Sequence, residues 1–330
     1  MKIAIVILNW NGKELLAKFL PSVVKFSKGA EIIVADNAST DESVSYVKTH
    51  FPDIKIILNN ENGGYAKGYN DALKQVDADV FCLLNSDVEV TKNWLEPILN
   101  QFNVSSETAI IQPKILDYKQ KEYFEYAGAA GGFIDKYGYP FCRGRIFGNI
   151  EKDSGQYNDI LDIFWASGAC LFIRSEVFKD LNGFDEHFFA HMEEIDLCWR
   201  AHNLEYKTSY VGTSTVYHVG GATLQTLNPK KTYLNFRNSL FTLVKNAKGN
   251  CFFLVLTRLI LDGFAGVKFL IEGKPKHTWA IVKAHFAFYR HLSYLIEQRK
   301  QQPTKGDYYQ ITSIVWQYFV HKIKVYDQLR

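Results

Sequence analysis

The residues best suited to chemistry stand in short polar clusters that close apolar runs. Asn9-Trp10-Asn11-Gly12 follows Ile3–Leu8, Asp36-Asn37-Ala38-Ser39-Thr40-Asp41 follows Glu31–Ala35, Asn62-Gly63-Gly64 follows Ile54–Leu58, and Asn85-Ser86-Asp87 follows Val80–Leu84. Asp36, alone at a strand end, could accept hydrogen bonds from a nucleobase or ribose, or simply close an Asx-turn and cap the next helix. Asn85-Ser86-Asp87 offers two oxygen side chains two residues apart. Mg²⁺ and Mn²⁺ favour such hard ligands and bridge phosphates, with Asp87 carrying the charge and His218, just before Gly220-Gly221, a candidate second ligand. A lone histidine is as readily a structural hydrogen-bond partner. Glu193, Glu194 and Asp196 put three carboxylates within four residues. Their mutual repulsion can raise a general base toward neutral pH, and the plainer alternative is a negatively charged helix start. His187 and His191, four apart, lack the glutamate of a zinc-protease helix and are expected to be structural.

The elements that must position these groups are legible in the hydropathy. Apolar runs alternate with helical patterns at Lys13–Phe26, Ala66–Val76 and Thr91–Phe102, with a short helix through Val44 and Val47. This alternation predicts an α/β fold with a parallel sheet flanked by helices. In such sheets ligands bind beyond the C-terminal strand ends, so the four clusters define one rim. No dinucleotide fingerprint or P-loop follows a strand. From Ala109 to Val219 the pattern is less regular, with strand-like Cys170–Ile173, a short strand at Ser214–His218 and a helix starting at Glu193; beyond Asn228-Pro229 the chain reads as mainly helical.

Composition is that of a globular protein, 47% hydrophobic and 22% charged over 330 residues, which excludes a largely disordered chain. Five scattered cysteines form no C-x-x-C pair, which favours a reducing compartment over a disulfide framework or zinc site. The apolar start is too short for a leader or a membrane span. Residues 241–330 hold 14 Lys/Arg against 5 Asp/Glu, so the remainder has 24 against 30. The acidic body and basic, aromatic tail suggest two jobs, the tail meeting an anionic surface. Residues 251–271 are long enough to cross a bilayer, but Arg258, Asp262 and Lys268 interrupt them. An interfacial helix and a helix pair packed on protein, including a homodimer partner, both fit. Arg258 and Asp262, four apart, are spaced to pair. Nucleic-acid binding is not expected from an acidic body without a recognition motif.

In order, these segments resemble the family 2 glycosyltransferases, inverting enzymes of the GT-A fold. The carriers are Ile5–Gly12, Val34–Asp41, Asn62–Asn70, Leu83–Val88, Ser167-Gly168-Ala169, Gly183-Phe184-Asp185-Glu186, Glu193–Arg200 and Val216-Tyr217-His218. They span residues 1–240, which the resemblance makes a GT-A domain (a Rossmann-like, mostly parallel sheet flanked by helices), with 241–330 a helical, basic extension. It is most similar to the rhamnosyltransferase-like and galactofuranosyltransferase-like subgroup. The resemblance implies that Asn9, Trp10, Asp36, Asn37, Asn62, Gly64, Lys67 and Asn85 hold the nucleotide sugar, and that Asp87 and His218 ligate Mg²⁺ or Mn²⁺. It makes Glu194 the catalytic base, with Glu193 its acidic neighbour and Asp196 a rival. Two departures stand out: Asn85 replaces the first Asp of the usual metal motif, and Glu194 stands where Asp is common. The implied reaction moves a sugar from a UDP- or dTDP-sugar to a glycan or lipid-linked acceptor in surface polysaccharide synthesis, in the cytoplasm or peripherally on the inner membrane face. The alternatives are a sugar nucleotidyltransferase, for which Asn9–Lys13 is a poor glycine-rich loop, and a catalytically silent nucleotide-sugar-binding or scaffold protein.

Overall fold

The structure, a computed structural model, describes residues 1–220, 228–304 and 307–329; Gly221 lies outside the described residues. The first half alternates as its hydropathy predicts: β1 (Ile3–Asn9), α1 (Lys13–Phe26), β2 (Glu31–Asp36), α2 (Ser43–His50), β3 (Lys55–Leu58), α3 (Gly64–Leu73) and β4 (Val80–Asn85). The four strands lie parallel in the order β3-β2-β1-β4. Within β1, Ile3, Ile5 and Ile7 enter the core that holds Leu16 and Leu20 of α1. Ala4 and Val6 point to the opposite core, beneath Tyr69 of α3. This period-two alternation between two apolar layers is what a strand buried on both faces requires. The Tyr69 hydroxyl is fully buried and donates toward the carbonyls of Val6 and Leu84, at 3.3 and 3.1 Å.

The sheet then changes character. After β5 (Val88–Val90) and α4 (Leu95–Val104) comes β6 (Thr108–Asp117), followed by a small antiparallel sheet of β7 (Gly132–Ile134), β8 (Pro140–Cys142), β9 (Arg145–Ile146) and β10 (Asn149–Ile150). β11 (Ile160–Ile163), β12 (Cys170–Arg174), α5 (Ser175–Asp180), α6 (Glu193–Asn203) and β13 (Lys207–His218) complete the body. β12 inserts antiparallel between β4 and β6, and β13 runs parallel to β6. The sheet is therefore mixed, its parallel half carrying the clusters read from the sequence. β6 escapes a hydropathy reading because Gln112, Pro113 and Lys114 interrupt it, although all three are buried. Proline has no N–H to donate to a ladder, and the β13 register slips between Val211 and Thr215, opposite Pro113 and Lys114.

The tail consists of α7 (Pro229–Asn246), α8 (Phe252–Ile271), α9 (Pro275–Gln301) and the short α10 (Ile314–Phe319). The tail is thus mainly helical, as its sequence suggests, and after α9 the described residues outside α10 are mostly irregular. Residue 240 falls inside α7, whose Leu240, Phe241, Leu243 and Val244 join Trp199 of α6 and Phe288 of α9 in the main core. The expected boundary therefore crosses a continuous apolar core. Arg258 and Asp262 pair at 2.8 Å on the inner side of α8, as their spacing predicts.

Candidate active site

The strand register gathers the polar clusters. Asn9 sits beside Asp36 across β1 and β2, and Leu8 beside Asn85 across β1 and β4. Asn9 Nδ2 donates to Asp36 Oδ2 at 2.9 Å, and the Ser39 amide donates to Asp36 Oδ1 at 2.8 Å. The Asx-turn and the buried carboxylate thus coexist, and each oxygen retains a lone pair for a ligand. Asn11, held at φ 49°, accepts from the Thr40 amide at 2.7 Å and ties the first two loops together. Asp41 accepts from the Ser43 amide just ahead of α2. Trp10 is 48% exposed and offers an unburied ring at this rim. Asn37 works behind it: its amide reaches the Gly64 carbonyl at 2.8 Å and Asn62 Oδ1 at 3.3 Å, and its oxygen accepts from Asn59 at 2.9 Å. Lys67 lies on the flank of α3, paired with Asp71 at 2.5 Å.

Asp87 and His218 meet because β5 pairs antiparallel with the end of β13, with His218 opposite Val88. Asp87 Oδ1 lies 3.1 Å from His218 Nε2, and Glu125 Oε2 lies 3.5 Å from Nδ1. All three side chains are buried. Burial alone would lower the imidazole pKa, but the two carboxylates push it up to about 10. The imidazolium holds the positive charge that a divalent cation would replace on binding, with release of a proton. Asp87 oxygen and neutral His218 nitrogen suit Mg²⁺ or Mn²⁺ as a two-ligand site, to be completed by substrate phosphates and water. Among the described residues no group of three or more His, Cys, Asp and Glu forms a protein-only cage. Glu125 was not singled out in the sequence, where it is one acid in an aromatic run. Gly220, at φ 67°, is required beside it, since a Cβ there would lie 2.7 Å from Glu125 Oε1.

The acidic pair lies within electrostatic reach of residues at this rim. The Asn85 amide bonds the Ala169 carbonyl at 3.0 Å, and the neighbouring Gly168 carbonyl accepts the Tyr65 hydroxyl at 2.9 Å. Tyr65 in turn feels the charges of both Glu193 and Glu194. Cys142 links the other side, being within electrostatic reach of Glu125 and Glu194. Glu193 and Glu194 open α6, and each keeps a buried Oε2 without a hydrogen-bond partner. Burial raises both carboxyls, and the charge of Glu194 raises Glu193 further. Backbone N–H groups at the helix start offset part of the effect for Glu194, which is pushed up to about 7. Two adjacent carboxyls driven apart in this way divide into a protonated partner and a base poised near neutrality.

The segment entering α6 is strained. Phe189, His191 and Met192 all have positive φ, at 64°, 70° and 73°. Non-glycine residues in that region are costly and persist only where the surroundings hold them. Here Asn238 of α7 directs its amide nitrogen to the carbonyls of Phe188, Ala190 and His191, at 3.0, 3.0 and 2.7 Å. Nothing local in the sequence marks Asn238, whose burial comes from long-range packing. Asn238→Leu should cost about 1–3 kcal/mol, measured by urea unfolding, and should lower transfer by releasing the loop that presents Glu194. Gly64 (φ 76°) allows α3 to abut this loop, because a Cβ would lie 2.3 Å from the Phe189 carbonyl oxygen. His187 packs its ring on Tyr294 of α9 and lies 3.1 Å from Asp185, and His191 is half-buried in the strained segment.

Asp196 is not a candidate base in this structure. It is fully buried and accepts from Arg200 at 2.8 Å, Lys245 at 3.0 Å and Asn246 at 2.8 Å, which joins α6 to α7. Its position, three after Glu193 and four before Arg200, puts it on the inner face of the helix. Asp196→Ala should lower stability by about 3–5 kcal/mol, seen as a shifted denaturation midpoint, because two cations lose a buried counter-charge.

A mixed α/β sheet with a carboxylate–histidine pair and an acidic pair at its C-terminal rim defines a GT-A type nucleotide-sugar fold. The chain belongs to glycosyltransferase family 2: the family model Glycosyl transferase family 2 matches residues 4–181. It is similar to the low-salt glycan biosynthesis hexosyltransferase Agl10 of Haloferax volcanii, 25% identical over 203 residues, 60% of this chain and 61% of that protein. It also resembles the N-acetylglucosaminyl-diphospho-decaprenol L-rhamnosyltransferase of Mycobacterium tuberculosis, 23% identical over 218 residues, 62% of this chain and 71% of that one. The fold matches GalNAc-T7, solved with UDP, GalNAc and Mn²⁺, at a TM-score of 0.59 and 17% identity over 75% of this chain and 48% of that one. The chain thus spans about three fifths of Agl10 and under half of GalNAc-T7.

Proposed function

We propose that this protein is an inverting glycosyltransferase that moves a sugar from a UDP- or dTDP-sugar to a hydroxyl of a glycan or lipid-linked acceptor, building a surface polysaccharide on the cytoplasmic side of a membrane. The observation that carries this reading is that the Asp87–His218 pair follows Asn85, whose amide bonds Ala169, while Tyr65, bonded to the adjacent Gly168, feels the charges of Glu193 and Glu194. The name of the mycobacterial relative includes a lipid diphosphate acceptor, which supports the lipid-linked class. Asp36 and Asn9 bind the nucleoside, with Trp10 against the base. Asp87 and His218 would hold Mg²⁺ or Mn²⁺, whose charge, when bound, makes the nucleoside diphosphate a better leaving group. Glu194 takes the proton from the acceptor hydroxyl as that oxygen bonds the anomeric carbon, and the bond to the diphosphate breaks on the opposite face. Glu193 stays protonated beside it and spares the base a second negative charge. Holding both substrates on one rim makes the encounter effectively intramolecular.

The test is nucleotide release from UDP- and dTDP-sugars with Mn²⁺ or Mg²⁺, with and without saccharide or lipid-linked acceptors. Metal-dependent release stimulated by an acceptor is expected. Pyrophosphate exchange in its place would favour nucleotidyl transfer, and donor binding with no release in the presence of every acceptor class would favour a silent binding protein.

A further inference from the structure

We infer that the outward surface of α8 and α9 seats this protein on an anionic lipid bilayer. α8 has its polarity turned inside out. The two charged residues in its middle, Arg258 and Asp262, face the body: Arg258 bonds Asp262 at 2.8 Å and the carbonyls of Tyr137 and Gly138, and its guanidinium lies 3.6 Å from the centre of the Tyr139 ring. Asp262 also accepts from the Tyr139 hydroxyl at 3.0 Å and lies 3.3 Å from His285. This buried knot fixes the roll of the helix. What remains outside is a stripe of Phe253, Leu256, Ile260, Phe264, Val267 and Ile271, each between 45% and 82% exposed. The spacing of three and four residues is that of one helix face, and the stripe runs about 27 Å at 1.5 Å per residue. A continuous apolar strip of this length is more than scattered surface residues provide, and marks a contact surface.

α9 adds the electrostatic half. Trp279, Lys283, Phe286 and Arg290 are exposed at helical spacing and line a groove of about 400 Å³ with Tyr233 and Ala287. Lys276, Lys283 and Arg290 make no ion pair among the described residues, and Lys268 and Lys274 share the single Glu272. Between residues 252 and 296 the outward charges are five cations against one anion. A second copy seated on this surface would oppose cation to cation, whereas anionic headgroups complement it. Aromatic rings interleaved with basic side chains suit the headgroup boundary, and no helix among the described residues is long and apolar enough to cross a membrane. The inference deepens the proposed reading: Tyr233 lies two residues beyond Lys231, which feels the charge of Glu125 at the active site, so a docked surface would bring a lipid-held acceptor toward that rim.

The full chain is floated with vesicles of phosphatidylcholine alone and of phosphatidylcholine with phosphatidylglycerol, without donor or turnover, so the outcome does not depend on the proposed reaction. Binding to the anionic vesicles, weakened by salt and by omission of phosphatidylglycerol, is expected. The paired changes Ile260→Glu with Phe264→Glu, and Lys283→Glu with Arg290→Glu, should each weaken binding at least about tenfold. Those side chains are exposed, so the circular dichroism and thermal midpoint should match the parent. No flotation with anionic vesicles, or flotation equal to the parent in both variants, overturns the proposal. So does a self-association that Ile260→Glu with Phe264→Glu abolishes while vesicle binding is absent throughout, which would assign the surface to a second copy.

Discussion

Glu194→Gln is expected to lower transfer by about 10²–10⁴-fold, to leave nucleotide binding intact and to make the protein more stable. Activity falls because Gln keeps the shape and loses the proton acceptor. Stability rises because the fold disfavours the ionised carboxylate: burial lifts Glu194 from 4.5 to about 7. A folded-state pKa above the unfolded value means that the native state binds more protons between those pH values. The strain is absent below about 4.5, grows as pH rises through 7, and is fully present above. At pH 8 its removal should be worth up to about 3 kcal/mol, at 1.36 kcal/mol per pH unit. The parent enzyme should lose turnover as pH drops below about 7, and residual turnover in the variant should lack that acid limb. Thermal unfolding and a pH–rate profile read both effects. Near-parental turnover in Glu194→Gln would remove it from the chemistry.

Asp87→Ala should lower transfer by about 10²–10³-fold and should abolish the dependence of donor binding on Mn²⁺. The carboxylate supplies the only negative charge of the Asn85-Ser86-Asp87 turn, and it also steadies His218 Nε2 from 3.1 Å. The change therefore removes one proposed metal ligand and unsettles the other. Nucleoside binding through Asp36 and Asn9 should persist, because that network is built on β1 and β2 and shares no hydrogen bond with Asp87. Calorimetric titration with UDP in the presence of metal, set against uridine without it, separates the two contributions. Equal metal dependence in parent and variant would place the cation elsewhere.

The parallel half of the fold was legible because each strand there ends in a polar cluster, and short loops keep those ends together. Asn9, Asp36 and Asn85 could be placed on one rim from sequence because adjacent parallel strands align their C-terminal ends. The start of α6 at Glu193 was equally clear, from acids followed by a helical apolar pattern. β6 was not, because a proline and two polar residues sit in a strand whose bulged partner accommodates them. Asp196 could not be separated from Glu194 by charge alone. The readable signal was Arg200 one turn later, which marks the buried face. Glu125 and Asn238 depend on long-range packing, the first against His218 and the second against the loop before α6, and no local pattern announces either. The tail was read for what its apolar residues could touch, and α7 shows a further role, since Asn238 and Lys245 support the acidic helix and its approach.

The most direct test of the central claim, a single displacement driven by one carboxylate, is the anomeric configuration of the first product, read by NMR before any mutarotation. A linkage opposite in configuration to the donor's sugar–phosphate bond is predicted. A product that keeps the donor's configuration would contradict the account, because it requires two displacements or a front-face attack that Glu194 acting alone as a base does not provide.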